Sequence, residues 1–352
     1  MKTYTNLSQA LKEREKVQVL DLRAQGLTEI PVGIFQLTNL TELYLYENQI
    51  RVIPPEIGQL TNLTILRLAG NQIEVIPPEI GQLTNLTELY LYENQIRVIP
   101  VEVGQLTELT VLGLAGNQIE VVPLEVGQLI NLTILHLAYN QIEVIPPEIS
   151  QLTNLTQLNL ACAQIEAIPP EIDQLTNLTQ LYLEYNQIKI ISPILDKLTN
   201  LERVNLESNL IESVPSVIGN LKNLYDLNLK NNNLINIPSE INKLFKLQSL
   251  NLGHNRLQKF PTQATKLSNL RQLHLDDNQI QFLPVTIKNL IKLEKLWLDG
   301  NALRLLPIEL SQLTSLTELH LGRNRIYQVP SELGNLKRLV TLNLSRNRLT
   351  EI

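Results

Sequence analysis

One cysteine in 352 residues, Cys162, excludes an intramolecular disulfide framework and any zinc cluster built on cysteines. With no histidine or cation beside it in its own segment, it reads as a small neutral filler rather than a nucleophile. Aromatic residues make up only 4% of the chain, with a single tryptophan. No apolar run approaches the roughly 18 residues that a membrane-spanning helix needs. Basic charge is also short: the net charge is −6, which argues against a sequence-independent nucleic-acid binder and its basic stripe. The first residues, Met1 to Asn6, lack the apolar stretch of a secretory signal. The expected compartment is therefore cytoplasmic, with secretion as the alternative if a signal peptide has been removed. Disorder is excluded by what is present, since 43% of the residues are apolar and they are strongly patterned.

That pattern is a single period. The frame Leu40-x-x-Leu43-x-Leu45-x-x-Asn48-x-Ile50-x-x-Ile53-Pro54 returns at Leu63, Leu86 and every 23 residues thereafter to Leu339. A weaker copy starts at Val17, giving fifteen copies without an insertion or deletion. Leu43 and Leu45 lie two apart, so a short strand sends both inward while residues 42, 44 and 46 point out. Ile50, Ile53, Ile57 and Leu60 supply the other walls of the core. Pro54-Pro55 cannot extend a strand but fits the first turn of a short helix or 3₁₀ segment over residues 56–60. One repeat cannot bury its own apolar edge, so neighbours must stack, with their strands in one parallel sheet. At about 4.8 Å per strand, fifteen strands give an inner surface on the order of 70 Å long. Asn48 recurs in most repeats at a buried turn, where its amide can satisfy open backbone groups; Gln25 and Ala163 are the departures.

This motif resembles the leucine-rich-repeat superfamily. The 23-residue form with Ile-Pro-Pro-Glu-Ile-Gly-Gln-Leu (53–60, 76–83) is similar to the Ras-group-related class, to bacterial repeat proteins and to the repeat regions of Roco-type GTPases. The resemblance covers residues 17–352. It implies an α/β repeat solenoid, a right-handed arc with a parallel sheet on the concave face and 3₁₀ or short helices on the convex face. It also implies protein–protein recognition by the concave face. Residues 1–16 are expected to form an N-terminal cap, with a helix over 5–16 whose apolar face carries Leu7, Ala10 and Leu11. The last repeat has 14 of its 23 residues, and its core positions Leu342, Leu344, Leu349 and Ile352 lack a comparable cover. The expectation is further repeats or another domain, or end-to-end self-association.

Only positions that vary over a fixed core can carry specificity. These are the outward strand positions and the turn that follows. Seven of the ten tyrosines fall there: Tyr44, Tyr46, Tyr90, Tyr92, Tyr139, Tyr182 and Tyr185. Trp297 and all four histidines, His136, His254, His274 and His320, fall there too. Exposed Tyr and Trp offer large contact area at low entropic cost. The plainer account is that tyrosine favours strands, and that residues 37–54 and 83–100 are identical, so two of the tyrosines are copies. The candidate partner-binding set is Tyr44, Tyr46, Arg67, Tyr90, Tyr92, His136, Tyr139, Tyr182, Tyr185, His274, Trp297 and His320.

Charge divides this face. The first eight repeats hold Asp21, Glu42, Glu47, Glu88, Glu93 and Glu184 against Arg23 and Arg67. The last seven hold six acids against eight bases, among them Lys230, Lys295, Arg323 and Arg346. A partner with a basic, apolar patch suits the first half. No phosphate loop, metalloprotease motif or calcium loop is present. The one gathering of polar groups with catalytic character, His274, Asp276, Trp297, Asp299 and His320, places the indole between its two histidines. That arrangement is awkward for a shared metal. The expectation is a non-catalytic module that binds a protein partner, without cofactor, metal, nucleic acid or membrane span. The alternative is a recognition or regulatory arm of a larger multidomain enzyme such as a Roco-type GTPase.

Overall fold

Every 23-residue step closes on a three-residue strand, because only the Leu-x-Leu dyad alternates with period two before the chain must turn. In the computed structural model, which describes residues 2–350, the chain forms two compact units. One runs up to Ile165 and includes Pro169–Leu178; the other contains Glu166–Ile168 and everything from Thr179 on. The first unit holds strands β1 (Thr3–Tyr4), β2 (Val19–Asp21), β3 (Glu42–Tyr44) and β4 (Ile65–Arg67). It continues with β5 (Glu88–Tyr90), β6 (Val111–Gly113), β7 (Ile134–His136) and β8 (Gln157–Asn159). Each pairs in parallel with the next at a register of 23 residues after β2, as in Glu42↔Ile65 and Leu43↔Leu66.

The second unit repeats the scheme. It holds β9 (Gln180–Tyr182), β10 (Arg203–Asn205), β11 (Asp226–Asn228) and β12 (Ser249–Asn251). After them come β13 (Gln272–His274), β14 (Lys295–Trp297), β15 (Glu318–His320) and β16 (Thr341–Asn343). These also pair in parallel, one repeat to the next. Leu43, Leu45, Ile50, Ile57 and Leu60 are fully buried, their counterparts are buried between the first repeat and the last, and Tyr44 and Tyr46 face away from them. The alternation read from the sequence therefore holds.

The return segments are 3₁₀ turns, such as Pro55–Gln59 and Pro78–Gln82. Five residues opened by a proline leave room for one such turn, closed by the Leu60 N–H donating to the Ile57 carbonyl at 3.1 Å. The asparagine ladder behaves as expected. Asn71 Oδ1 accepts from the Ile50 N–H of the preceding repeat, while its amide donates to the carbonyls of Leu45 and Leu68, all at 3.0 Å.

Two expectations need correction. The helix expected over 5–16 is α1 (Leu7–Lys12), begun by Asn6, which accepts from the Gln9 N–H at 3.1 Å, and followed by a separate 3₁₀ turn at Arg14–Lys16. And a sixteenth strand precedes the fifteen of the repeats: β1 pairs with β2 through Thr3↔Val19 and Tyr4↔Leu20. It is held by a buried Tyr4 whose hydroxyl donates to Glu13 at 2.8 Å. Ile352 lies outside the described residues.

Candidate functional site: the outward face of the sheet

The last residue of each strand and the residue two further on project from the sheet. Between that pair and the ladder asparagine the chain makes a left-handed turn. In all fifteen repeats, from Ala24 to Arg346, the residue before the ladder position has φ between 48° and 72°. This turn redirects the chain so that the next side chain enters the core, at a strain of about 1–2 kcal/mol for most residues other than glycine. Only Gly70, Gly116 and Gly300 avoid that strain at this position. Tyr139 and Tyr185 both occupy it, at φ 54° and 56°, and are 65% and 55% exposed. Bulky rings in a strained, exposed turn contribute nothing to the core.

In the first unit Arg67 is the centre of the face. Its guanidinium lies between the rings of Tyr44 and Tyr90 on the flanking strands, 5.3 and 4.9 Å from their centroids. It reaches Glu88 at 3.3 Å, while its buried Nε has no hydrogen-bond partner among the described residues. Tyr44 donates to Glu42 at 2.5 Å, and burial first, then this bond, pushes its phenol up to about 12. Tyr46 packs against Arg23, which is itself paired with Asp21 at 3.1 Å. A shallow groove of about 450 Å³ opens among Arg23, Tyr44, Tyr46 and Arg67.

Tyr92 behaves differently from its sequence twin Tyr46. Its ring lies across β6 over Gly113, where a Cβ would stand 2.3 Å from the ring. Its hydroxyl meets His136 Nδ1 on β7 at 2.9 Å. Burial lowers the His136 pKa and raises that of Tyr92 to about 12, so both are neutral at pH 7. Tyr92 Oη and His136 Nδ1 share this hydrogen bond, with donor and acceptor set by the imidazole tautomer, and Gln157 bonds the same imidazole. Tyr92 and His136 are thus tied to each other, whereas Tyr44, Tyr90 and Tyr139 keep an outward edge.

The second unit carries its own cluster. His274, Trp297 and His320 form one stack on β13, β14 and β15, with centroid separations of 3.8 and 5.8 Å. The indole separates the imidazoles, as their strand positions require. Burial, with Lys230 and Lys295 nearby, pulls His274 down to about 4. Tyr182 donates to Gln180 at 2.7 Å. Three features of this unit escaped the sequence reading. Arg203 lies over Tyr225, 5.1 Å from its centroid. Glu184 has a buried carboxylate oxygen with no hydrogen-bond partner among the described residues, and burial followed by the neighbouring Glu207 raises its pKa. His254 meets Asp276 at 3.2 Å and Asp277 at 3.4 Å. Each needs the cross-strand register, which the repeat alignment supplies, together with side-chain directions in the turn, which it does not.

A larger recess, about 1060 Å³, runs along Asn39, Asn62 and Asn85 at the strand entries. Its asparagines donate to backbone carbonyls of the preceding repeat, Asn62 to Thr38 at 2.8 Å and Asn85 to Thr61 at 2.9 Å. They serve the scaffold. No helix among the described residues is long and apolar enough to cross a membrane.

Comparison with known proteins agrees with this geometry. Leucine-rich-repeat family models match residues 15–73, 61–119 and 130–188, and a leucine-rich repeat region model matches 213–323. No curated protein matches the chain significantly. Among solved structures, a leucine-rich-repeat protein of Leptospira interrogans is 40% identical, with a TM-score of 0.95 over 99% of this chain and 89% of that one. An internalin of Listeria monocytogenes is 27% identical, with a TM-score of 0.75 over 94% and 88%. The ectodomain of the plant membrane receptor kinase GASSHO1/SCHENGEN3 from Arabidopsis thaliana was solved in complex with Casparian strip integrity factor 2. It is 32% identical with a TM-score of 0.71, and this chain spans 91% of its own length but 43% of the receptor's. By its repeats, its strand register and these relatives, the chain belongs to the leucine-rich-repeat proteins.

Proposed function

We propose that the chain is a non-catalytic binding module that holds a protein partner on the outward face of its sheet, with Tyr44, Arg67, Tyr90 and Tyr139 as anchors in the first unit. The observation that carries this reading is Arg67 set between two tyrosine rings beside a groove. Interfaces concentrate their binding energy in such Tyr, Trp and Arg residues. Tyr139 adds weight, because its ring stands largely exposed in a left-handed turn that a non-glycine residue occupies only with strain. Solved relatives support the class of activity: the GASSHO1/SCHENGEN3 ectodomain was solved in complex with Casparian strip integrity factor 2, and the plant peptide hormone receptor RGFR1 in complex with RGF2. The acids Glu42, Glu47, Glu88 and Glu93 around the first cluster favour a partner with a basic, apolar patch. In the second unit the corresponding candidates are Tyr182 and Tyr185 on β9 and its turn and, five strands on, the stack of Trp297 with its two histidines.

The test is capture from a native lysate by the wild-type chain, followed by affinity measurements on what is captured. Alanine at Tyr44, Arg67, Tyr90 or Tyr139 is expected to cost at least about 2 kcal/mol at a true anchor. Trp297→Ala tests the second cluster separately, and Glu56→Arg on the opposite side is expected to be neutral. A partner that tolerates every change on the sheet face but is lost with Glu56→Arg refutes the proposal.

A further inference from the structure

We infer that His254, Asp276 and Asp277 form a binding site for a divalent transition-metal ion of the zinc class, at the edge of the outward face in the second unit. The three side chains come from two successive repeats, and each offers one donor atom, all within 4.8 Å of one another. His254 Nε2 stands 3.2 Å from Asp276 Oδ2 and 3.4 Å from Asp277 Oδ2. Zinc binds imidazole nitrogen and carboxylate oxygen at about 2.0–2.2 Å in a tetrahedron, which sets neighbouring donors roughly 3.3 Å apart. The observed separations match that edge length. Three protein ligands with an exposed histidine leave the fourth position to solvent.

The backbone around the cluster is cleared for it. A Cβ at residue 253 would lie 2.6 Å from Asp276 Oδ1, and one at residue 300 would lie 2.0 Å from Asp277 Oδ1. Gly253 and Gly300 therefore let the two carboxylates lean over neighbouring strands. The left-handed turn does the rest, because it swings His254 at φ 53° and Asp277 at φ 48° out of the strand alternation. One competitor is present: Arg323 pairs with the same Asp277 oxygen at 3.0 Å. The ion must displace that guanidinium.

Calorimetric titration of the full chain with zinc chloride tests the site. One ion per chain is expected, lost in both His254→Asn and Asp276→Asn, and bound several-fold more tightly in Arg323→Ala. Asparagine tolerates the left-handed turn, so His254→Asn keeps the fold, which circular dichroism verifies. Absence of saturable binding in the micromolar range, or binding that survives either ligand substitution, overturns the inference. Binding through His136, His274 or His320 would show itself by that survival.

Discussion

At the residue scale, the sequence told inside from outside but not what the outside residues do for one another. Leu43 and Leu45 had to be inward and Tyr44 outward, because a strand alternates. That Tyr92 is tied forward to His136 while its twin Tyr46 is bound back to Arg23 depends on Gly113 one strand away and His136 two strands away, in a direction that periodicity does not specify. His274 has a consequence that can be measured. Burial is the main reason its pKa falls from the ordinary 6.5 to about 4, with Lys230 and Lys295 adding to it. Between pH 6.5 and 4 the unfolded chain takes up a proton that the native stack excludes, so stability is unaffected above that window and falls as pH drops through it. A displacement of that size corresponds to roughly 3 kcal/mol by the acid end. Urea unfolding at pH 7 and pH 5 is expected to show a smaller acid loss in His274→Gln than in the wild-type chain. An unchanged loss would mean that the imidazole is protonated within the stack.

At the element scale, the repeat was legible in full and its exceptions in part. The period fixes the strand, the proline and the core leucines, and the absence of an amide at Ala163 is visible in the sequence. What it means needs the hydrogen bonds. In the preceding step of the ladder Asn140 accepts from the Ile119 N–H at 2.9 Å and donates to Leu114 and Leu137. By the same geometry an asparagine at 163 would accept from Ile142 and donate to Leu137 and Leu160. Ala163 offers none of this, so the Ile142 N–H loses the acceptor its counterparts have. A buried backbone group left unpaired costs about 1–3 kcal/mol. Ala163→Asn is expected to raise stability by that order and to slow hydrogen exchange over residues 155–170. Equal protection there and in the flanking repeats of the wild-type chain would count against it. The left-handed turn is the element that periodicity concealed: its φ is positive even at Glu47, Tyr139 and Arg323, residue types that do not announce it.

At the scale of the whole chain, stacked repeats derive their stability from neighbours, so an outer strand depends on what covers it. At the N-terminal side β1, α1 and Tyr4 give that cover. The last described strand, β16, pairs with β15 on one edge and has no partner on the other among the described residues. Its effect shows in burial: Leu342 is 43% exposed and Val340 85%, although Leu319, the counterpart of Leu342 one repeat earlier, is fully buried. An open parallel edge flanked by apolar side chains is a template for another chain. Where β16 stands as an outermost strand, this edge is expected to pair with a second copy of the chain as concentration rises. Leu342→Lys should suppress that association, since a charge on an edge strand opposes pairing. Sedimentation over a range of concentrations decides the matter. A mass that stays monomeric throughout, or one that rises equally in Leu342→Lys, assigns any association to a different surface.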